Sequence, residues 1–128
     1  MLELERYQWK RRPFLIFAPS PQHADYQAQE RMMTGQASQI VDRDMVLGHL
    51  FQDGPSHVGG EEMSEEAVQA LYRELDLAEA DFHLVLLGKD GTIKLRLNTP
   101  TEMSEIYDVI DAMPMRQREM REKGQEDA

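Results

Sequence analysis

The chain has 128 residues, 14 Lys+Arg against 24 Asp+Glu, a net charge of −10, 41% hydrophobic residues and no cysteine. This length predicts a single domain, with a core over about residues 7–115, and argues against a miniprotein or a multidomain enzyme. The polar tail over residues 116–128 is expected to be a helical extension or a frayed end. The lack of thiols excludes disulfides, thiolate zinc sites and thiol nucleophiles. The acidic balance argues against nucleic-acid binding, which depends on clustered Lys and Arg.

No segment predicts membrane insertion or export. The longest apolar runs, residues 14–18 and 84–87, fall far below the roughly 18 residues that a membrane span needs. No positively charged start leads into a hydrophobic export segment. We therefore expect a soluble protein without a membrane span, and the composition leaves its compartment open.

Charge is unevenly distributed along the chain. Between Asp53 and Asp81, nine carboxylates face only Arg73, which is typical of a solvated surface. Basic side chains cluster instead before the first strand and after the last helix: Lys10, Arg11, Arg12, Arg116, Arg118, Arg121 and Lys123. Because chain ends often lie close together, we expect one basic rim on an acidic body.

The first half of the chain alternates strands and helices. Residues 14–18 form a continuous apolar run between prolines, which predicts a strand buried on both faces. Ser20 is predicted to cap a helix over residues 21–33. Residues 44–51 predict a second strand, and residues 52–62, with four glycine or proline breakers, predict a loop.

The second half adds a helix, a hairpin and a last helix. Ser64 is predicted to cap an amphipathic helix. Residues 82–87 predict a third strand, joined by an Asp-Gly turn to a half-exposed strand over residues 92–97. Thr101 is predicted to cap the last helix, which ends at Pro114 and has a regular apolar stripe: Met103, Ile106, Tyr107, Ile110 and Met113.

The predicted element order is β-α-β-α-β-β-α. Its alternation implies a parallel strand pair joined by a right-handed crossover, and its hairpin adds antiparallel strands. The order predicts an α/β, thioredoxin-like fold, with a four-stranded mixed sheet, two helices on one face and one on the other. Another α/β sandwich of similar size is the alternative.

A more specific resemblance rests on motifs in four parts of the chain: Tyr7-Gln8-Trp9-Lys10 with Arg12-Pro13-Phe14-Leu15-Ile16-Phe17-Ala18-Pro19; Arg43-Asp44; Leu87-Gly88-Lys89-Asp90-Gly91 with Lys94-Leu95-Arg96; and Ile110-Asp111-Ala112-Met113-Pro114-Met115-Arg116. Over about residues 7–120 the chain resembles an uncharacterised thioredoxin-like domain family, found in small bacterial proteins and in animal sushi-repeat-containing and coiled-coil-domain proteins of the extracellular matrix. The resemblance implies no established enzymatic activity and, in animals, a role in adhesion and matrix assembly. It permits an exported location and supplies no catalytic residue.

A redox-active thioredoxin carries its two cysteines between the first strand and its helix. The corresponding residues 19–25 contain no thiol, so thiol–disulfide exchange and peroxide reduction are excluded. Ser20, His23 and Asp25 offer a nucleophile, a base and an orienting group, but residues two apart do not share a helical face. We therefore expect no catalytic residue; the alternative is a metal-dependent or hydrolytic enzyme that uses His23 and Asp25.

The four histidines show no short metal-ligand spacing such as H-x-x-x-H. We expect His83 to be a packed or half-exposed residue of the sheet. His57, in the glycine-rich loop, could join His49 and a carboxylate in space, since spacing alone does not exclude a histidine–carboxylate site. The prediction is nevertheless that the protein binds no metal and no other cofactor.

The preferred hypothesis is a non-catalytic interaction module that binds a protein or an anionic partner. Trp9 is expected to pack against the sheet edge while the neighbouring cations stay in solvent; alternatively, Trp9 and the arginines form a patch for an acidic protein or a sulfated polysaccharide. A homodimer is a further alternative. The candidate binding surface combines the end of the first strand with the basic flanks: Pro19, Ser20, Gln22, His23, Arg12, Arg116 and Arg118.

Overall fold

The computed structural model describes the backbone of residues 2–127 and the side chains of residues 4–124. A 3₁₀ helix (Leu2–Tyr7) precedes the sheet. The remaining elements follow in chain order: β1 (Arg12–Ala18), α1 (Ala24–Met33), α2 (Ala37–Asp42), β2 (Met45–Phe51), β3 (Ser56–Val58), β4 (Glu61–Met63), α3 (Glu65–Glu74), β5 (His83–Leu87), β6 (Ile93–Leu97), α4 (Met103–Asp111) and α5 (Pro114–Asp127).

The strands form one six-stranded sheet in the order β4-β3-β2-β1-β5-β6. β1 and β2 are parallel, and every other neighbouring pair is antiparallel. The predicted parallel pair and C-terminal hairpin are both present. The predicted loop over residues 52–62 is wrong, because its glycines form a turn: Gly59 and Gly60 both have positive φ and connect β3 to β4. This hairpin raises the strand number from four to six.

The central strand β1 is buried along its whole length and divides the core in two. Phe14 and Ile16 point to the face covered by α1, α2 and α4, whereas Leu15 and Phe17 point to the face covered by α3. Burying one such side chain contributes about 1.5–3 kcal/mol. A strand that buries both faces explains why residues 14–18 read as an uninterrupted apolar run.

The predicted helix caps are only partly confirmed. Ser64 caps α3, since its hydroxyl accepts a hydrogen bond of 3.1 Å from the backbone N–H three residues later. The predicted cap Ser20 is wrong, because α1 begins only after His23. Thr101 does not cap α4 either: its N–H donates to the side chain of Gln29 at 2.8 Å, and its carbonyl accepts from the same amide at 3.1 Å.

Helix α2 was absent from the predicted pattern, whereas α5 agrees with the helical alternative for the polar tail. Pro114 ends α4 as predicted but also begins α5, a position where its missing N–H costs no hydrogen bond. α5 takes in most of the residues expected to form a polar tail. Within residues 2–127, no helix combines the length and the apolar character required for a membrane crossing.

Candidate functional site

The turn between β1 and α1 corresponds to the segment that carries the cysteines of redox-active thioredoxins. Backbone and side-chain contacts hold it in place: the N–H of His23 donates to the carbonyl of Ser20 at 3.2 Å, and the amide of Gln27 donates to the carbonyl of Pro21 at 2.6 Å. Pro21 also packs so closely on Gly54 that a Cβ there would lie 2.9 Å from its ring. The turn is therefore fixed against the loop that follows β2.

Ser20, His23 and Asp25 do not form a catalytic triad. The ring of His23 lies parallel to that of Phe82, with centroids 6.4 Å apart. Its Nδ1 is buried without a hydrogen-bond partner among the described residues. The arrangement therefore does not bring a nucleophile, a base and an orienting group together.

The two basic flanks meet at the amino-terminal end of β1, in partly buried ion pairs. Arg12 is fully buried, and its guanidinium donates to both carboxylate oxygens of Glu119, at 3.1 and 2.9 Å, and to the carbonyl of Arg43 at 2.9 Å. Lys89 donates to Glu119 and to Asp44, each at 2.8 Å. Burial alone raises the pKa of Glu119, but the hydrogen bonds from Arg12 and Lys89 bring it below its usual value.

A second set of ion pairs joins α5 to the same end of the sheet. Arg116 and Arg43 share the carboxylate of Asp111, at 3.0 and 2.9 Å, and Arg116 also pairs with Asp42 at 2.8 Å. Hydrogen bonds from Lys123 and Arg116 lower the pKa of Asp42 to about 2. The expectation that the cation of Arg12 stays in solvent is wrong, and the donors of Arg116 are likewise engaged within the fold.

Trp9 lies at this end of the molecule, and it is exposed. The prediction that it packs against the sheet edge is wrong, because 62% of its surface is accessible to solvent. Its φ of +69° is in the left-handed region, which is unusual for a bulky residue, and its N–H donates to the carbonyl of Lys89. The indole lines a cavity of about 380 Å³ together with Met113, Pro114, Met115, Lys89 and Lys94.

The motifs that carried the family resemblance converge on this end. Trp9 and Arg12 belong to the first motif, Asp44 to the second, Lys89 to the third and Arg116 to the fourth. At about 3.3 Å per residue, the length of β1 places them about 20 Å from the turn that follows it. These residues of the four motifs thus lie at the end opposite to the thioredoxin redox segment.

A third cluster lies on the face of the sheet that α1 covers. The hydroxyl of Tyr26 donates to Glu30 Oε1 at 2.6 Å and lies 3.0 Å from Nδ1 of His49, which is itself 3.1 Å from Glu30 Oε1. The ring of His57 on β3 has its centroid 5.0 Å from that of His49. Burial lowers the pKa of His49, against the opposing charge of Glu30.

The third cluster brings together the two histidines that the sequence analysis paired. Glu30 was missed there, and its only sequence signal is its position four residues after Tyr26 on one helix face. No group of three or more His, Asp or Glu side chains in the described part of the chain is arranged to hold a metal ion. The cluster therefore offers two imidazoles and one carboxylate that already contacts one of them.

Together these features define a cysteine-free, thioredoxin-like α/β domain. Two solved peroxiredoxins share its fold: thioredoxin peroxidase I of Plasmodium yoelii, with a TM-score of 0.65 and 16% identity over 90% of this chain and 79% of that one, and the reduced 2-Cys peroxiredoxin of Plasmodium vivax, with a TM-score of 0.66 and 14% identity over 90% and 84%. At these identities, the likeness shows the fold alone.

The chain belongs to the family described as Domain of unknown function (DUF4174), which it matches over residues 3–119. Coiled-coil domain-containing protein 80 of Danio rerio is 31% identical over 133 residues, which cover 91% of this chain and 15% of that protein. Sushi repeat-containing protein SRPX2 of Xenopus laevis is 24% identical over 120 residues, covering 91% and 26%. The family resemblance is confirmed, and this chain spans less than a third of either relative.

Proposed function

We propose that this chain is a non-catalytic interaction module, formed by one domain over residues 1–128, that docks an acidic protein segment in the cavity beside Trp9. The observation that carries the proposal is the exposed indole of Trp9, fixed in a left-handed backbone conformation over an apolar cavity. The chain has no cysteine, so the thiol redox chemistry of thioredoxins is not open to it.

The backbone at Trp9 supports a docking role. A bulky residue in the left-handed region costs on the order of 1–3 kcal/mol, and such strain is concentrated at functional sites. The neighbouring backbone compensates for it, since Trp9 donates to Lys89 and the next N–H, of Lys10, donates to Tyr7 at 3.0 Å. Exposed tryptophans are characteristic anchors of protein interfaces because they bury a large apolar area with a polar N–H at one edge.

Charge around the cavity favours an acidic partner. Lys10 and Arg118 are exposed and form no salt bridge between described side chains. Arg118 lies one helical turn beyond Pro114 and so shares its side of α5. The whole chain carries a net charge of −10, so two exposed cations that form no salt bridge give this end a charge that an acidic segment can meet.

The apolar wall of the cavity favours a peptide over a sulfated polysaccharide. Met113, Pro114 and Met115 offer flexible and apolar surface that a sugar sulfate does not match, whereas an aliphatic or aromatic side chain does. We therefore infer a segment that carries one apolar residue between carboxylates. Both curated relatives are several times longer than this chain, which agrees with a module that works within larger proteins.

The proposed binding surface differs from the binding surface predicted from the sequence. Arg118 belongs to the proposed surface, Arg12 lines the cavity with its charge neutralised by Glu119, and Arg116 anchors α5. The other predicted residues lie at the opposite end of β1: Pro19, Ser20, Gln22 and His23.

The proposal is tested with labelled nine-residue peptides, rich in glutamate, that carry a central Leu, a central Phe or no apolar residue. Binding is followed by the anisotropy of the label and by the fluorescence of Trp9, which is the sole tryptophan of the chain. We expect the peptides with Leu or Phe to bind, Trp9→Ala to weaken binding at least about tenfold, and Arg118→Ala to weaken it less and reduce its salt dependence.

The matched control is Val41→Ala, which trims another exposed apolar side chain, 68% accessible, on α2. This variant is expected to bind as the unmodified protein does. Equal binding by Trp9→Ala and the unmodified protein would refute the proposed site, as would binding that does not depend on the central apolar residue.

A further inference from the structure

His49 and His57 lie side by side on neighbouring strands. They are direct partners in the antiparallel pairing of β2 and β3, so their side chains point to the same face of the sheet. Their ring centroids are 5.0 Å apart, and their planes are inclined by 32°. Two imidazoles that share one tetrahedral metal ion, through nitrogens about 2.1 Å from it, also have centroids about 5 Å apart. The centroid spacing of the pair thus meets the distance that two imidazoles on one metal ion require.

One ring nitrogen of His49, Nδ1, is already held in place by Glu30. Nδ1 lies 3.1 Å from Glu30 Oε1, and the hydroxyl of Tyr26 donates to the same oxygen at 2.6 Å. With that hydroxyl proton committed to Glu30, Nδ1–H of His49 donates to the carboxylate, and Nε2 keeps its lone pair. A carboxylate that orients a histidine in this way is the usual second layer of a metal site.

We propose that His49 and His57 form a two-imidazole binding site for a divalent transition-metal ion, with Glu30 and Tyr26 as positioning residues. Imidazole nitrogens suit Cu²⁺, Ni²⁺ and Zn²⁺, whereas Ca²⁺ and Mg²⁺ require oxygen ligands. Affinity in such nitrogen sites generally rises towards Cu²⁺. This site is separate from the cavity beside Trp9, and it does not depend on the docking function.

The remaining coordination positions are open to solvent or to an outside ligand. Since no three His, Asp or Glu side chains of the described residues surround one point, the protein itself supplies two nitrogens. Glu62 is the cross-strand partner of His57 on β4, and its side chain points to the same face. A change of side-chain rotamer is the simplest way to add its carboxylate as a third ligand.

The test uses metal-free full-length protein without an affinity tag, titrated with Cu²⁺ alone. Calorimetry is expected to give one equivalent, and the electron paramagnetic resonance spectrum is expected to show two coordinated imidazole nitrogens. His57→Asn should weaken binding at least about tenfold and leave one nitrogen in the spectrum. Loss of a carboxylate that orients a ligand typically costs about 10–100-fold in metal affinity, so Glu30→Gln should weaken binding within that range.

The matched control is His83→Asn. His83 is also a sheet histidine, but its Nε2 contacts the carbonyl of Ala78 at 2.9 Å, away from the pair. This variant should bind Cu²⁺ as the unmodified protein does. Because His57 is exposed, His57→Asn is expected to keep the circular dichroism spectrum of the fold. Equal binding by His57→Asn and the unmodified protein, or a spectrum with one nitrogen in both, would overturn the proposal.

Discussion

The two ends of β1 differ in how they are built. At the carboxyl end, the turn over residues 19–23 is held by prolines and backbone hydrogen bonds, and the polar Nδ1 of His23 has no partner among the described residues. At the amino end, Arg12 and Lys89 are tied to Glu119, and the exposed Trp9 stands beside them. The fold of a thioredoxin is thus retained, while the distinctive residues are found at the end where thioredoxins carry no cysteines.

The largest expected effect comes from breaking the ion pairs at the amino end. Glu119→Ala leaves Arg12 buried without a counter-charge, and removing one partner of a buried pair costs about 3–5 kcal/mol. We expect a loss in the free energy of unfolding of about 3 kcal/mol, measured by urea denaturation, because Glu119 itself is only partly buried.

Ser20→Ala provides the comparison from the carboxyl end of β1. The hydroxyl of Ser20 does not cap α1, so this variant should change the free energy of unfolding by less than about 0.5 kcal/mol. Similar losses in Glu119→Ala and Ser20→Ala would remove the difference between the two ends.

A smaller effect is expected from acid, and it reports on the second set of ion pairs, between α5 and the end of α2. The pKa of Asp42 is lowered to about 2 by hydrogen bonds from Lys123 and Arg116, and the unfolded value is about 3.9. A carboxylate whose pKa is lowered in the folded protein stabilises the fold at pH values above its pKa in the unfolded chain. This contribution is lost as the pH falls through the pKa of the folded protein. Urea denaturation should therefore show stability falling from about pH 4 to pH 2.

Asp42→Asn sharpens the acid experiment. It should be less stable than the unmodified protein at pH 7 and should lose less stability between about pH 4 and pH 2. Because 31% of the Asp42 side chain stays exposed, we expect a difference of about 1 kcal/mol rather than the full shift. Identical pH dependence in both proteins would show that Asp42 is not paired in solution.

An effect of about the same size as that of Asp42→Asn separates docking from stability at Trp9. Glycine adopts the left-handed conformation freely, whereas an L-residue pays about 1–2 kcal/mol there. Trp9→Gly should consequently be about 1 kcal/mol more stable than Trp9→Ala in urea denaturation. Both variants should bind the acidic peptides at least about tenfold more weakly than the unmodified protein. A Trp9→Gly protein less stable than Trp9→Ala would contradict the backbone conformation.

Elements defined by local patterns were predictable from the sequence. The strand over residues 14–18 follows from its continuous apolar run, and α4 follows from apolar residues at helical spacing, of which Met103 and Ile106 are fully buried. Ser64 was predictable as a cap because its partner lies three residues away, although the same local pattern was wrong at Ser20 and Thr101. Each of these signals involves residues that are close in sequence.

Features that depend on distant residues were not predictable. Arg12 is buried because Glu119 lies beside it, although 107 positions separate them in sequence. Thr101 forms hydrogen bonds with the buried side chain of Gln29, 72 positions away, and does not cap α4. In the same way, the glycines of residues 52–62 predict a break in the chain, but only the presence of β2 as a pairing strand turns that break into a hairpin.

The position of the docking site is tested most directly by amide chemical shifts in ¹⁵N-labelled protein on addition of the acidic peptide with a central Leu. We expect the largest shifts at Trp9, Lys10 and Met115, which surround or adjoin the cavity, and unchanged amides at residues 20 and 22–23. Shifts confined to residues 20 and 22–23 would place binding at the carboxyl end of β1. That result would contradict the account.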